Sequence, residues 1–436
     1  MKKTTTAVVA LAATAMLALA GCAGQPAPAP TDGGDTSAAS QDITLWLMGG
    51  DTPQTLRDYL VAEYAEVNGG KLTIEEQGWG DALTKLQTQL PDSANTPDVV
   101  EIGNTWSPTF TTVGAFSDIT DLVPELGGSD LLPSFVEVGA VDGVNYALPY
   151  YFGSRYNFYR KDLYAAAGLE APKTLAEFAD NAAALTTDSV SGFYIGGADW
   201  RNGISWIFAY GGDLAKQDGD KWVSTLSDPK SIQGLTALQE LFQSASHAPI
   251  TENDAAYWDF VNTLPDAAGP EAATIIAPGW AHWSIGDLAP AADDPTKVVA
   301  TWNDDVFGTF VLPGVNGGVA PVFAGGSNIA ISAASQKQEG ARDLMRIIFA
   351  PEYQQMLGEN GLGPANLKYT DSLGDDQFAK ALAESAAGSK LTPAAPGWAA
   401  VEASGLLEEF FGKVNGGGDI EALAAEYDGK IGALLN

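Results

Sequence analysis

Between Ile43 and Gly103 strand-length apolar runs alternate with helix-length amphipathic ones, and this alternation restricts the fold more than any other feature of the chain. Ile43-Thr44-Leu45-Trp46-Leu47-Met48 is an apolar run ended by Gly49-Gly50. Asp51 or Thr52 can cap the helix that follows, Pro53 suits its first position, and Leu56, Leu60, Val61 and Tyr64 fall on one face. Gly69-Gly70 stops that helix; Leu72 to Gln77 reads as a second strand, Gly80 to Leu90 as a second helix and Asp98 to Gly103 as a third strand. Such spacing predicts an α/β fold with a parallel sheet covered by helices on both faces. Ligands of these sheets sit beyond the carboxyl ends of the strands, where this chain has Asp51, Thr52, Trp79, Asn104 and Trp106.

A second constraint is the aromatic stretch Tyr146 to Asp162. Pro149 fixes its own φ and pushes Leu148 towards an extended conformation, so a strand enters here. Gly153 then releases the backbone, and Tyr156 and Phe158 alternate with Asn157 and Tyr159 at the period of a strand. The segment reads either as an aromatic core strand or as a crossing between two domains. A chain of 436 residues exceeds what one core usually supports, which makes two domains the expectation. Beyond the crossing, Thr174 and Glu177 have the spacing of a capping box, Gly192 to Ile195 and Ala273 to Ala277 read as strands, and Ile204 to Tyr210 as a helix. Phe307 to Gly314, a strand broken by Pro-Gly, reads as a return crossing. Ser335 with Gln338 opens a helix carrying Leu344, Ile347 and Ile348, Gly361 to Pro364 interrupts, and Asp419 caps a last helix carrying Ile420, Leu423, Tyr427, Ile431 and Leu434.

The net charge of −33 works against nucleic acid and anionic membrane surfaces as partners and suits a neutral ligand. Met1 to Gly21 has the architecture of a signal peptide: Lys2-Lys3, an apolar run from Ala7 to Ala20, then small residues before Cys22. Leu19-Ala20-Gly21-Cys22 resembles the lipobox of bacterial lipoproteins, in which the cysteine is acylated; the alternative is a secretory signal with an incidental cysteine. Cys22 is the single cysteine, so no internal disulfide can form. Gln25 to Ser40 is rich in Pro, Ala, Thr, Gly and Ser and reads as a flexible tether.

Signatures of chemistry are sparse. His247 and His282 lack partners at metal-ligand spacing, which argues against a metal, and no Gly-x-Ser-x-Gly elbow, Walker loop or strand-linked Gly-x-Gly-x-x-Gly occurs. No cofactor is expected. A pair of acids among 55 carboxylates leaves a glycoside hydrolase open. Tryptophan is more informative: several of the 11 indoles follow strands or neighbour Pro and Gly. An indole inside an element belongs to a core, whereas one at a strand exit can present its face to the apolar C–H face of a sugar ring.

The order of lipobox, tether, βαβαβ, Pro-marked crossing, return crossing and helical tail resembles the extracellular solute-binding proteins of ABC sugar importers. Asp98 to Thr105, Ala277-Pro278-Gly279-Trp280, Gly325 to Ala330, and above all the tail Leu391 to Glu402 are similar to the subgroup that binds N,N′-diacetylchitobiose in Gram-positive bacteria. The resemblance implies a two-lobe periplasmic-binding-protein-like fold with hinge strands near 148–152 and 308–314 and a third link near 350–362. It implies a signal peptide over 1–21, a lipidated Cys22 and tether over 22–41, an N-lobe of 42–148 plus 314–350, and a C-lobe of 149–308 plus 355–436. By the same similarity Trp280 stacks on the sugar from the second lobe and Trp398 from a tail helix. Asp51, Asn104 and Asn328 face the cleft from the first lobe, with Trp106, Tyr151 and Trp206 as further ligand residues and Arg155 structural. Maltodextrin-type relatives have a lysine after the Asp51 position; Thr52 stands here instead. The implied activity is capture of a neutral oligosaccharide without catalysis, by a monomer tethered through its lipid to the outer face of the cytoplasmic membrane and delivering to permease transmembrane subunits. A secreted carbohydrate-cleaving enzyme and a ligand-free surface adhesion protein are the alternatives.

Overall fold

Among the described residues, nine strands build two main sheets: β1 (Ile43–Met48), β2 (Leu72–Gln77), β3 (Val99–Gly103), β4 (Ala147–Gly153), β5 (Arg155–Arg160), β6 (Thr274–Pro278), β7 (Phe307–Phe310), β8 (Gly325–Ile331) and β9 (Gly363–Pro364). They belong to a computed structural model that describes residues 40–253, 257–264, 269–291 and 297–436, with backbone alone at Tyr257 and Trp258. The expected signal segment, Cys22 and the tether through residue 39 lie outside the described residues. Gln41, assigned above to the tether, is already part of the fold: its amide N–H donates to Asn68 at 2.8 Å, and its side-chain oxygen accepts from Gly340 N–H at 2.7 Å.

The first sheet runs β9-β4-β8-β3-β1-β2. β1 is parallel to β2 and β3, as the βαβαβ pattern requires, while β8 is antiparallel to both β3 and β4. Helices cover both faces, so β1 is apolar on both: Leu45 and Leu47 pack with Leu56, Leu60 and Tyr64, whereas Trp46 and Met48 pack with Leu86, Val100 and Ile102. Leu56, Leu60 and Tyr64 lie on the buried side of helix Gln54–Val67 as expected; Val61, grouped with them, is 40% exposed.

The second sheet is β6-β5-β7, antiparallel throughout, and it carries the larger core, into which helices Leu175–Leu185, Trp200–Ala209, Pro229–Ala245 and Leu406–Asn415 pack. Gly192 to Ile195 makes only isolated bridges there, at Ser191 and Tyr194, in place of the expected strand.

The chain passes between the lobes at three places. The first is Ser154, between β4 and β5. The return lies between Ala324 and Gly325 and not at 308–314. Gly308 pairs with Tyr159 inside the second sheet, and Leu312, Ala320, Val322 and Ala324 pack into the second core. Pro313-Gly314 makes a local turn there, closed by Gly314 N–H to Gly318 O at 3.0 Å. The third passage follows the short helix Leu367–Leu373 and precedes helix Gln377–Ala387. The expected link at 350–362 is instead first-lobe structure, because Tyr353 and Leu357 sit in the first core and Gly363 pairs with Phe152.

Candidate functional site

At the carboxyl ends of β1, β2 and β3 the first lobe gathers one carboxylate and two indoles. Gly49, which follows β1, has φ +54°, and a Cβ there would stand 3.1 Å from the Trp79 ring; glycine thus permits both the turn and the close approach of that indole. The Trp79 indole N–H donates to Asp51 Oδ2 at 3.0 Å, and the Tyr151 hydroxyl donates to the same oxygen at 3.2 Å. Trp106 meets Trp79 edge to face, with ring centroids 5.4 Å apart. Trp79 is 37% exposed and Trp106 half-buried, so this corner presents indole surface beside a carboxylate. Crowding strips water from the Asp51 carboxylate and raises its pKa above the usual range, while the hydrogen bonds from Trp79 and Tyr151 pull it back down.

Beneath this corner lies Glu101, fully buried on β3. Its Oε2 accepts from Met48 N–H at 2.8 Å. Desolvation dominates over that bond and pushes the carboxyl up to about 7. Thr52, the residue that stands where maltodextrin-type relatives have lysine, is buried and paired with the Tyr150 hydroxyl at 3.0 Å, so it is a packing residue.

The second lobe brings Trp280 to the passage between lobes. β6 ends at Pro278, and Gly279 N–H donates to Ser154 O at 3.0 Å, which fixes the turn Gly279–Ser284 against the first crossing. The Tyr156 hydroxyl donates to Gly279 O at 3.3 Å. Trp280 leaves this anchored turn 54% exposed, unlike the buried Gly279 and Ala281 on either side. His282, one of the two histidines weighed above, stacks on Phe378 with centroids 4.6 Å apart, and its Nδ1 is 2.6 Å from Gly279 O. Its place is structural.

Of the residues expected at the ligand, Asp51, Trp106 and Tyr151 are thus assembled with Trp79, and Trp280 is exposed beside the crossing. Asn104 is buried, donating its amide to Ala324 O at 3.2 Å, so it joins the end of β3 to the return passage. Three others are also buried. Trp206 is buried in the second core, 5.6 Å from Phe193 and 6.2 Å from Phe178 between centroids. Asn328 is buried on β8 and donates to Phe135 O at 2.8 Å. Trp398 is fully buried on helix Trp398–Ala403, edge-on to Trp200 at 6.5 Å, with its N–H on Glu402 Oε1 at 3.0 Å. Arg155 is structural as expected, lying buried with its guanidinium 4.8 Å above the Phe323 ring.

Sequence reading placed Trp79 in the crevice without counting it among ligand residues, and it missed Glu101. The signal for Glu101 was present: a carboxylate inside Val99-Val100-Glu101-Ile102, on a strand with both faces covered, has to be buried.

The sequence profile described as bacterial extracellular solute-binding protein matches residues 49–355. The diacetylchitobiose binding protein DasA of Streptomyces coelicolor is 31% identical over 407 residues, covering 92% of this chain and 91% of DasA. Among solved structures, the sugar-binding protein MalE of Xanthomonas citri superposes with a TM-score of 0.76 at 22% identity, covering 91% of this chain and 97% of MalE. The GacH receptor of Streptomyces glaucescens, solved unliganded and with acarbose, superposes at 0.71 with 20% identity, covering 91% and 98%.

Proposed function

Because the chain belongs to the bacterial extracellular solute-binding proteins, of the sugar-binding kind that serve ABC importers, we propose that it captures N,N′-diacetylchitobiose or a similar neutral disaccharide between its lobes and delivers it to a membrane permease. The observation that carries this reading is the pair of partly exposed indole surfaces, Trp79 with Trp106 on one lobe and Trp280 on the other, flanking the passage between lobes with Asp51 beside the first. Indole faces suit the C–H faces of pyranose rings, and a carboxylate accepts from ring hydroxyls. Asp51, Trp79, Trp106, Tyr151 and Trp280 are therefore the proposed ligand residues, with Asn104 at the base of the cleft. Micromolar affinity needs about 8 kcal/mol net. Two stacked rings and several hydrogen bonds at roughly 1 kcal/mol each reach that range. No bond is broken, and the glycoside hydrolase alternative loses its support because the family and the relatives above are binding proteins.

The mechanism follows from the three passages. Backbone rotation around Ser154, Ala324-Gly325 and residues 374–376 moves one lobe against the other without disturbing either sheet. A sugar shifts that equilibrium only through contacts it makes to both lobes together. Titration of the protein with N,N′-diacetylchitobiose should release heat and lower the radius of gyration in small-angle scattering. Binding without compaction removes the hinge, and absence of binding to chitobiose, cellobiose, maltose, trehalose and xylobiose alike removes the sugar reading.

The reading includes a lipid anchor at Cys22, a monomeric state and a location on the outer face of the cytoplasmic membrane. Two acyl chains would hold the protein there stably. Cys22→Ser should accordingly release it to the medium or leave it unprocessed, measured by fractionation and immunoblot. Wild-type membrane retention of this variant would refute the anchor.

A further inference from the structure

Glu101 has no part in the binding mechanism above, yet it is the most conspicuous buried group next to it. The side chain is wholly buried at the carboxyl end of β3, on a strand otherwise made of Val99, Val100, Ile102 and Gly103. One oxygen is held by Met48 N–H, and the other, Oε1, makes no hydrogen bond of full geometry. An oxygen in that position is unfavourable as a bare carboxylate and well placed as a protonated hydroxyl. Its polar neighbours are the hydroxyls of Ser327 and Tyr151, which favour the charged form when they turn towards it, though burial outweighs them; an ionised Glu101 therefore competes with Asp51 for the Tyr151 proton. Ser327 Oγ donates to the Tyr151 hydroxyl at 3.4 Å, and that hydroxyl donates to Asp51 Oδ2 at 3.2 Å.

The chain of contacts from Glu101 through Tyr151 ends on the carboxylate proposed to meet the sugar. We propose that Glu101 is a positioning residue of the sugar site, acting through Tyr151: in its neutral form it donates to the Tyr151 oxygen and so keeps the tyrosine O–H directed at Asp51. This inference rests on the sugar-binding reading.

The surroundings decide which form accompanies a bound sugar. The groups facing Glu101 are Asp51 from the loop after β1, Tyr150 and Tyr151 from β4 and Tyr353 from helix Pro351–Glu359. The nearby cation, Arg57, is directed to Gly49 O, Thr52 O and Glu76, and it acts on Asp51 and Tyr150. Burial and the Asp51 charge both disfavour an ionised Glu101 and together lift its titration to about 7. A sugar seated on Asp51 removes further water from this corner, which strengthens the repulsion between two carboxylates. Binding is therefore linked to the neutral form: above pH 7 the protein must take up a proton as the sugar enters.

Calorimetric titration with N,N′-diacetylchitobiose at pH 5.5, 6.5, 7.5 and 8.5, in buffers of different ionisation enthalpy, reads both affinity and proton uptake. Wild type should lose about tenfold in affinity between pH 6.5 and 8.5 with net proton uptake at the upper end. Glu101→Gln, which keeps an acceptor for Met48 N–H and cannot ionise, should give a flat profile with no uptake. Tyr151→Phe, which keeps both carboxylates but removes the hydroxyl through which Glu101 acts on Asp51, should keep the pH slope while lowering affinity at pH 6.5 by more than Glu101→Gln does. An equal slope in wild type and Glu101→Gln, or a flat wild-type profile, overturns the inference. A second readout needs no sugar: the Trp79 indole N–H resonance, reporting on Asp51, should shift with a midpoint near pH 7 in wild type and hold still in Glu101→Gln. Failure of every sugar to bind strikes the sugar-binding reading, while a Trp79 resonance that does not titrate in wild type strikes the role of Glu101.

Discussion

Trp398→Ala should destabilise the protein by about 3–5 kcal/mol and lower its unfolding midpoint by roughly 10 °C. Trp398 is fully buried in the second-lobe core, edge-on to Trp200, and its indole N–H occupies one oxygen of Glu402. Truncation leaves a cavity the size of an indole, which the surrounding helices can only partly close. It also removes a donor from Glu402, whose pKa burial already raises. The measurement is thermal or urea unfolding in the absence of sugar, followed by titration of the folded protein. A variant that melts like wild type but no longer binds sugar would return Trp398 to the ligand site.

The opposite pattern is expected at Trp280. Its side chain is 54% exposed on a turn that is anchored by the backbone of Gly279 and by Tyr156 and His282. Trp280→Ala should therefore leave the melting temperature within about 1 °C of wild type without sugar. Affinity should fall by about 2 kcal/mol, close to thirtyfold, as for a buried aromatic anchor at an interface. The stabilisation by saturating sugar should shrink with it, since that gain scales with the ratio of ligand concentration to dissociation constant. Unchanged affinity would move the second-lobe contact elsewhere.

The two tryptophans show what the sequence could and could not reveal. Both neighbour a glycine and a proline, and for both the family resemblance implied a contact with the sugar. What separates them is their surroundings. Pro278-Gly279 ends a strand at the crossing, whereas Trp398 is packed against Trp200, a contact between residues far apart in the chain. Local pattern carries no record of such packing. For the same reason β1, β2 and β3 were legible almost to the residue, since their apolar runs and glycine stops are local. The Pro313-Gly314 pair was misread as a crossing because it does mark a turn; that the turn stays within the second lobe depends on its contacts with the core around Leu312 and Val322.

Strand β8 has a consequence for the order in which the molecule is completed. Ser327 pairs with Gly103 on one side and with Tyr151 on the other, so the strand that unites the first sheet is made long after both of its neighbours. As the chain emerges from its amino end, β3 and β4 each keep an open edge of unpaired backbone groups until Gly325–Ile331 arrives. Closure over that sequence distance is slow, because loop entropy is lost before the pairing returns it. Open edges are a hazard in a crowded compartment. For a protein of an extracellular family the delay is also useful: a first lobe that cannot lock early remains a threadable chain while it is being exported.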